Sequence, residues 1–316
     1  MNGNCASSKR VLVATLGVVV ALTLMVTLLW AEAQGQRRPP GFFDILALPR
    51  VWVAALFCAV GLAFLVKSWV SSRVRLAFLL AMFFVFGVLS ELPLGRFASG
   101  MGLHPSPLCT VTRPFQFLYG GWSVPVTFWA ILSSIVLLSL VGNKLFCGWV
   151  CPIGALQELS HRIPLPGRLK AKLPFGPSNT IRALIFAVFI VTVFLTGLSV
   201  YDYFNPFEFL HWGFGLVATI ALVAALATGV FVFRPFCYLI CPVGLLTWIL
   251  EHLSVVRVRV NKDLCTDCSV CVKQSPCPAV PSILEGRASR PDCHACGRCI
   301  EVCPENALSF RSSRRR

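Results

Sequence analysis

Charged residues are scarce in this chain of 316 residues. They make up 13% of it, where a typical soluble domain carries about 25%, and only 13 residues are acidic. Hydrophobic residues reach 56% and the mean hydropathy is +0.76, which excludes an ordinary cytosolic domain and a disordered chain. The 28 Lys and Arg residues leave a net charge of +15. In so apolar a chain that excess indicates membrane topology, so we expect the lipid bilayer as a partner and no nucleic acid.

Histidines are few, and none falls in a long apolar run. There are five in the sequence, which argues against a haem held between two histidines inside a membrane. The sequence also lacks a Cys-x-x-Cys-His haem motif, a glycine-rich phosphate loop and a dinucleotide fingerprint. Acids and bases are missing from the middle of the apolar runs, which argues against the charge relay that ion pumps need. Catalysis on a soluble substrate therefore has no support.

Six apolar runs are long enough to be helices across a hydrocarbon layer about 30 Å thick. With the N-terminus in the cytoplasm, 23 of the 28 basic residues lie inside and five outside, in agreement with the positive-inside rule. We therefore expect a multi-pass protein of the inner membrane with both termini in the cytoplasm. The six runs cover residues 11–30, 51–66, 76–94, 124–141, 183–200 and 214–233.

The first run also resembles a signal peptide. Lys9 and Arg10 precede it, and the small residues Ala31 and Ala33 follow it as they would at a cleavage site. Its length of about 20 residues exceeds the roughly 7 to 15 of a cleaved apolar core and favours a retained anchor. Cleavage stays open as the alternative.

Fifteen cysteines dominate the chemistry of the sequence, and nearly all lie on the expected cytoplasmic side, where thiols stay reduced. Near the C-terminus two runs, residues 265–278 and 293–304, share the form Cys-x2-Cys-x2-Cys followed by a Cys-Pro pair. This is the pattern of bacterial ferredoxins with two 4Fe-4S clusters, in which the fourth cysteine of each run ligates the other cluster. The predicted ligands are Cys265, Cys268, Cys271 and Cys303 for one cluster, and Cys293, Cys296, Cys299 and Cys277 for the second.

The first run departs from the pattern, because five residues precede Cys277 where three are usual. The longer spacer, residues 272–276, contains Pro276 and can bulge without changing the ligand set. The alternation of residues 255–260 predicts a strand, and residues 307–310 predict a returning one. A domain this small buries little core, so the clusters must help to hold it folded. A cysteine-rich zinc domain is the alternative, which the repeated triple motif disfavours.

A second pair of cysteine motifs follows two of the apolar runs. Residues 146–156 and 236–246 align as Phe-Cys-x3-Cys-Pro-x-Gly-x-Leu, ninety residues apart. Cysteines four apart on a helix share one face. The four thiols could therefore form one site if the two copies pack about a pseudo-two-fold axis. Its content stays open between a third cluster, a copper or zinc ion, a redox dithiol and plain packing. The residues concerned are Cys147, Cys151, Cys237 and Cys241.

Two segments on the expected outer side carry polar residues. Residues 201–211 combine aromatic side chains with Asp202, Glu208 and His211. Such a group suits a quinol oxidation site, although an interfacial aromatic belt explains it as well and is favoured. Residues 104–109, with one histidine and one cysteine, are expected to form an exposed loop.

With these motifs the sequence resembles the membrane-bound polyferredoxins of the NapH and NosR type, a family of integral membrane 4Fe-4S proteins. The resemblance rests on the paired Cys-x3-Cys-Pro motifs, on the amino-acid sequence of residues 146–158 and on the double cluster motif. It covers residues 76–310. It implies an electron-transfer component that works with the quinol pool or a partner redox protein, rather than a stand-alone enzyme.

We therefore expect a mainly α-helical membrane protein with a small α+β ferredoxin-like domain that carries two 4Fe-4S clusters. The predicted domains are a two-span anchor at 1–75, a membrane core with both repeats at 76–254, the cytoplasmic ferredoxin domain at 255–312 and a basic tail at 313–316. The expected function is electron relay between the membrane and a partner redox protein. Two alternatives stay open: reduction of a metal ion or a cofactor-assembly step at the membrane-face cysteines, and redox sensing.

Overall fold

The computed structural model describes residues 41–89, 92, 95–102, 105–211, 215–287 and 291–312. The chain is mostly helical over these residues, with one small sheet near the C-terminus. The first predicted span, residues 11–30, lies outside the described residues, as do His104 and the basic tail at 313–316.

Two of the described helices are long and apolar enough to cross a membrane. These are α2 (Pro49–Val66), which follows the short helix α1 (Phe42–Leu46), and α9 (Phe175–Thr196). Proline at the first position of α2 suits a helix start, because the N–H that proline lacks has no partner there. Helix α9 begins eight residues before the predicted apolar run, at Phe175, and this added first part carries the buried Arg182.

Three further helices correspond to predicted spans but are shorter. Helix α3 (Ser72–Phe83) continues into a π-helical turn at Phe84–Val88, and α6 (Val126–Val141) and α11 (Leu216–Phe231) have 16 residues each. The outward faces of α9 and α11 are apolar and exposed, as lipid-facing surfaces are. On these two helices the exposed large hydrophobic residues are Ile181, Leu184, Val188, Val191, Phe194, Leu195, Leu216, Val217, Ile220, Val223 and Phe231.

Helix α5 (Pro107–Tyr119) follows α4 (Gly95–Met101) and occupies the stretch predicted to be an outer loop. Its N-terminal residue Pro107 shares the lining of one small cavity with Phe146 and Pro152, while Tyr119 packs at Gly197, just after the end of α9. Thr110 and Thr112 are fully buried on it. The segment that contains Cys109 is therefore a half-buried helix within the bundle and not an exposed loop.

The two Cys-x3-Cys-Pro motifs adopt the same local structure. In each, a basic residue with positive φ, Lys144 or Arg234, precedes a five-residue helix, and an extended cysteine then precedes a proline that starts the next helix. The motif is therefore not one continuous helix, because the residue before a proline disfavours the helical conformation. The helices are α7 (Leu145–Trp149) and α8 (Pro152–His161) in the first copy, and α12 (Pro235–Leu239) and α13 (Pro242–Glu251) in the second. Between the copies lies the short α10 (Val200–Tyr203).

The C-terminal domain contains the two-stranded sheet. Strand β1 (Val256–Val260) pairs antiparallel with β2 (Leu308–Ser312), and Val258 lies opposite Phe310. Both side chains are buried, as the alternating pattern requires. The predicted strands are thus confirmed within two residues. Three short helices, α14 (Val270–Gln274), α15 (Val280–Leu284) and α16 (Arg298–Glu301), connect the two strands.

Candidate functional site

The first predicted set of thiols lines a single cavity. All four of its cysteines, Cys265, Cys268, Cys271 and Cys303, surround a space of about 20 Å³ next to the start of β2. The loop between the first three cysteines curls because Asp267 and Ser269 adopt positive φ. This set is the more open of the two, since Cys268 is exposed and only Cys271 is buried.

The second predicted set is buried throughout and consists of Cys277, Cys293, Cys296 and Cys299. Burial raises the pKa of Cys299 well above its usual value, and the nearby thiols Cys277, Cys296 and Cys293 raise it further. Cys271 also contributes, so the two sets are neighbours. The hydroxyl of Ser275 donates to the Cys277 sulfur at 3.6 Å.

The four cysteines of the repeats also lie close together. Burial raises the pKa of Cys151 to about 12, and the neighbouring thiols Cys237 and Cys147 add to that shift. The pKa of Cys241 rises well above its usual value, through burial first and then through Cys237 and Cys147. These four cysteines are called the membrane-face quartet below. The structure brings them together as the pseudo-two-fold argument predicts, although the two cysteines of each motif do not share one helix. The first lies in a short helix and the second is extended just before the next helix.

Side chains of one repeat contact the sulfur atoms of the other. Thr247 Oγ1 in α13 lies 3.7 Å from the sulfur of Cys147, and Gln157 Nε2 in α8 donates to the sulfur of Cys237 at 3.5 Å. Gln157 and Thr247 occupy equivalent positions in the two copies. The crossed contacts are thus reciprocal, as a pseudo-two-fold relation between the copies requires.

Two buried carboxylates, which the sequence reading missed, hold the site together. Asp292 and its partners are completely buried: Lys144 Nζ lies 2.5 Å and Arg182 Nη1 2.7 Å from its carboxylate oxygens. Glu158 accepts from Arg75 at 2.9 Å and from Arg234 at 2.5 Å. A signal was available in the sequence, since Lys144 and Arg234 each stand three residues before the first cysteine of a repeat.

The pKa of Glu158 is lowered to about 2. Burial by itself would raise it, but the positive charges of Arg75 and Arg234 and their hydrogen bonds outweigh burial and favour the carboxylate. Glu158 is therefore fully ionised at any pH between 5 and 8.

The loop that carries Cys293 and Cys296 is seated directly on both repeats. In the first copy, Trp149 Nε1 donates to the Ala295 carbonyl at 3.0 Å, and in the second the Tyr238 hydroxyl donates to the Asp292 carbonyl at 2.9 Å. The approach is so close that a Cβ on Gly148 would lie 2.2 Å from the His294 carbonyl oxygen. The loop with two thiols of the second set is thus held against both repeats through its backbone carbonyls.

The thiol sets fit iron-sulfur chemistry. Every described cysteine is a free thiol, and thiolates are the ligands of 4Fe-4S clusters. Among the described residues, no three His, Cys, Asp or Glu side chains converge as they would around a single metal ion. A cubic cluster takes its four thiolates at the corners of a wider body.

The expected outer polar group is divided between different partners. The Tyr201 side chain is buried and its hydroxyl donates to the Ile240 carbonyl, inside the second repeat motif, at 3.2 Å. Asp202 lies 3.5 Å from Arg113 and accepts from Gln116 at 3.3 Å. Glu208 is half-buried.

Free thiols in three neighbouring sets, joined to a bundle of apolar helices, define a ferredoxin-type protein. Comparison with known proteins agrees. A family model described as a 4Fe-4S binding domain matches residues 124–174 and 214–261, which contain the two repeats, and a second with the same description matches residues 291–309. No solved structure matches the chain.

Three relatives illustrate the similarity. The ferredoxin-type protein NapH of Escherichia coli is 29% identical over 77% of this chain and 90% of its own length. An uncharacterised protein of Methanocaldococcus jannaschii, MJ0750, is 32% identical over 57% of this chain and 77% of its own. YccM of Escherichia coli, named as an electron transport protein, is 29% identical over 57% of this chain and 54% of its own. The chain therefore belongs to the family of membrane polyferredoxins that includes NapH.

Proposed function

We propose that this protein relays electrons between the membrane and a partner redox protein, with the quinol pool as the membrane-side partner. The observation that carries the proposal is the position of the loop at residues 292–296, which packs against both repeats. This loop holds two thiols of the second set, touches the first set through its neighbour Cys299, and packs on the short helices that carry Cys147 and Cys237. The three thiol sets thus form a continuous series from the C-terminal domain to the membrane core.

In this proposal the eight C-terminal cysteines hold two 4Fe-4S clusters. Cys265, Cys268, Cys271 and Cys303 surround one cavity, and Cys277, Cys293, Cys296 and Cys299 form the second, fully buried set. Bound clusters would supply one-electron chemistry. The chain contributes position and electrostatics, since it excludes water from the second set and places the buried cations Lys144 and Arg234 beside the quartet.

We also assign the membrane-face quartet to a third cluster. The match of a 4Fe-4S binding domain to both repeats supports this assignment, and so does the close grouping of the four thiols. Lys144 and Arg234 lower the pKa of Cys147 against the larger effect of burial, which raises it. Positive charge at this position favours the thiolate, the form that binds iron.

The proposed arrangement in the membrane has six spans and keeps both termini in the cytoplasm. The domain boundaries remain those given by the sequence, with the ferredoxin domain at 255–312. A reporter fused to the C-terminus tests the orientation: green fluorescent protein should fluoresce there, and alkaline phosphatase should be inactive. The opposite pair of results would overturn the cytoplasmic placement.

The cofactor count is tested by anaerobic purification of the full chain with iron and sulfide analysis. Three clusters predict about 12 iron atoms per chain and two predict about 8. Cys237→Ser should remove about four of the 12, while Cys109→Ala, a half-buried cysteine of α5 outside every set, should remove none. Iron-free protein would refute the proposal, and about 8 iron atoms in the native chain would refute the third cluster alone.

Electron relay is tested in lipid nanodiscs with a reduced quinol analogue as donor. The clusters of the native chain should become reduced, as seen by loss of visible absorbance and by electron paramagnetic resonance. Cys296→Ser should stop reduction of the first set, because that set connects to the membrane through the second. If the spectra of the native chain do not change when the reduced quinol analogue is added, quinol is not the electron donor.

A further inference from the structure

A cavity of about 570 Å³ lies between the C-terminal domain and the membrane core, and of the predicted cluster ligands only Cys296 lines it. Its walls come from the start of α3, the end of α8, the segment at residues 167–172 and the C-terminal domain. This volume is in the range of small-molecule sites. The cavity is called the basic chamber below.

The lining of the chamber carries a strong excess of positive charge. Six basic side chains line it, against two carboxylates. Both carboxylates already have partners, because Glu158 binds Arg75 and Arg234, and Glu301 binds Arg298 and the backbone N–H of Ser72. The six basic residues are Arg75, Arg162, Lys170, Lys172, Lys273 and Arg298.

One of these residues presents a buried donor without a partner. Arg75 is 2% exposed, and its Nε and Nη2 donate to Glu158 and to the Gly148 carbonyl, but its Nη1 has no hydrogen-bond partner among the described residues. The guanidinium is fixed in place by the ring of Trp149, 4.4 Å away. Nη1 is itself buried, so Arg75 contributes to the chamber as a fixed positive charge in its wall.

The longer spacer of the first cysteine run forms a wall of the same chamber. Lys273, Gln274, Ser275 and Pro276 all line it. Residues 272–276 are the spacer that has five residues where bacterial ferredoxins have three. The longer spacer thus extends the C-terminal domain over the chamber and adds the exposed Lys273 to the chamber wall.

We propose that the basic chamber binds a phosphate-bearing anion next to Cys296, which also lines it. Arginine and lysine donors converging from several directions suit the tetrahedral phosphate group, and the excess of cations over carboxylates exceeds what one carboxylate ligand would neutralise. Val70 and Leu76 line the chamber just after α2 and in the first part of α3, at the edge of the membrane core, so a lipid headgroup as well as a soluble ligand can reach the chamber.

The test uses the full, iron-loaded chain in a neutral detergent and inorganic pyrophosphate as the probe, with binding measured by calorimetry. Lys273 is the residue to change, because it is exposed and its loss should leave the fold intact. Lys273→Glu should weaken pyrophosphate binding about tenfold, since it replaces a charge-assisted hydrogen bond by repulsion. Lys262→Glu, an exposed lysine of the same domain outside the chamber, is the matched control and should bind within about twofold of the native chain.

A second arm distinguishes the two sources of phosphate. The same titration is made in nanodiscs of phosphatidylcholine alone and of phosphatidylcholine mixed with phosphatidylglycerol. Competition by phosphatidylglycerol assigns the chamber to a lipid headgroup, and unchanged pyrophosphate binding assigns it to a soluble ligand; both results support the proposal. Two results overturn it: no pyrophosphate binding together with no phosphatidylglycerol retention by the native chain, or equal binding by Lys273→Glu and Lys262→Glu. Iron content checks the folding of each variant.

Discussion

The two Cys-x3-Cys-Pro repeats have the same backbone but different electrostatic partners. Each begins with a basic residue in the left-handed backbone conformation, Lys144 or Arg234. The side chain of each of these residues donates to a backbone carbonyl of the other copy. Lys144 Nζ donates to the Gly244 carbonyl at 3.0 Å, and Arg234 Nη1 donates to the Cys147 carbonyl at 2.7 Å. Up to this point the copies are equivalent.

The difference lies in the carboxylate that each cation meets. Arg234 pairs with Glu158, which belongs to the first repeat, whereas Lys144 pairs with Asp292, which belongs to the C-terminal domain. The Arg234–Glu158 pair therefore links the two repeats to each other. The Lys144–Asp292 pair links them to the loop that carries the second thiol set. The two repeats thus differ because Lys144 pairs with the C-terminal domain, whereas Arg234 pairs within the membrane core.

The largest effect is expected from breaking the docking pair. Asp292→Asn would leave Lys144 and Arg182, both completely buried, without their counter-charge, and we expect a loss of about 3–5 kcal/mol in the free energy of unfolding. Denaturant unfolding in detergent measures it. The C-terminal domain should also become sensitive to protease, because the loop that it uses for docking begins at Asp292.

The matched control is Asp263→Asn, an exposed aspartate of the same domain. It should change the free energy of unfolding by less than about 0.5 kcal/mol. Equal stability of the two variants would show that the docking pair contributes nothing and that the asymmetry between the repeats has no energetic consequence.

Breaking the ion pairs of Glu158 should reduce the free energy of unfolding somewhat less. Glu158→Gln leaves Arg75 and Arg234 partly compensated by carbonyl oxygens, so we expect a loss of about 3 kcal/mol. A depressed pKa stabilises the fold above the unfolded-state value near 4.3, and this stability is lost only as the pH falls towards the folded value of about 2.

The loss in Glu158→Gln should therefore be the same at pH 6 and at pH 8, measured by denaturant unfolding at both. A loss that is present at pH 8 and absent at pH 6 would mean that the carboxyl titrates in this range, contrary to the strong ion pair with Arg75 and Arg234. The native chain, unfolded under the same two conditions, serves as the reference.

The sequence predicted those parts of the fold that local patterns determine. The strands at β1 and β2 follow from alternation, the repeats from their alignment, and the grouping of the thiols from ligand spacing. Helix α5 was missed because its apolar residues are interrupted by Thr110, Thr112 and Arg113, and its burial depends on α6 and α9 packing around it. Asp292 was missed because its partners are 148 and 110 residues away in the chain. Such pairings are tertiary, and no local pattern encodes them.

A third prediction compares the glycines that follow the two Cys-Pro pairs. A Cβ on Gly244 would lie 2.7 Å from the Cys237 carbonyl oxygen, while one on Gly154 would lie 3.0 Å from the Cys147 carbonyl and from the end of Arg234. Each Cβ would also lie 3.0 Å from an arginine Nη1, so the copies differ in the distance to the carbonyl oxygen alone. Gly244→Ala should therefore destabilise by about 2 kcal/mol and Gly154→Ala by about 1 kcal/mol, because the closer contact with the carbonyl needs a larger backbone shift.

Thermal unfolding of both variants in one detergent measures the difference. Gly286→Ala serves as a control for the method, since its cost comes from a positive φ of 72° and not from crowding. Equal effects of Gly154→Ala and Gly244→Ala would mean that the two repeats are packed alike.

The smallest effect concerns the crossed contacts to sulfur. The amide of Gln157 has two protons, so it donates to the Ile153 carbonyl at 3.2 Å and to the Cys237 sulfur at the same time. The hydroxyl of Thr247 has one proton and lies 2.8 Å from the Val243 carbonyl, so little remains for the Cys147 sulfur. Donation to a ligand sulfur stabilises negative charge and raises the reduction potential of a cluster.

Gln157→Met should therefore lower the potential of a cluster held by the quartet by tens of millivolts, as expected for the loss of about 1 kcal/mol in one hydrogen bond. Thr247→Val should shift it by less, because the bond it removes is largely directed at a carbonyl. Redox titration of the anaerobic chain, followed by electron paramagnetic resonance, measures both. If Thr247→Val shifts the potential as far as Gln157→Met, the proton of Thr247 is directed at sulfur, and the two halves of the quartet are electrostatically equivalent despite their different residues.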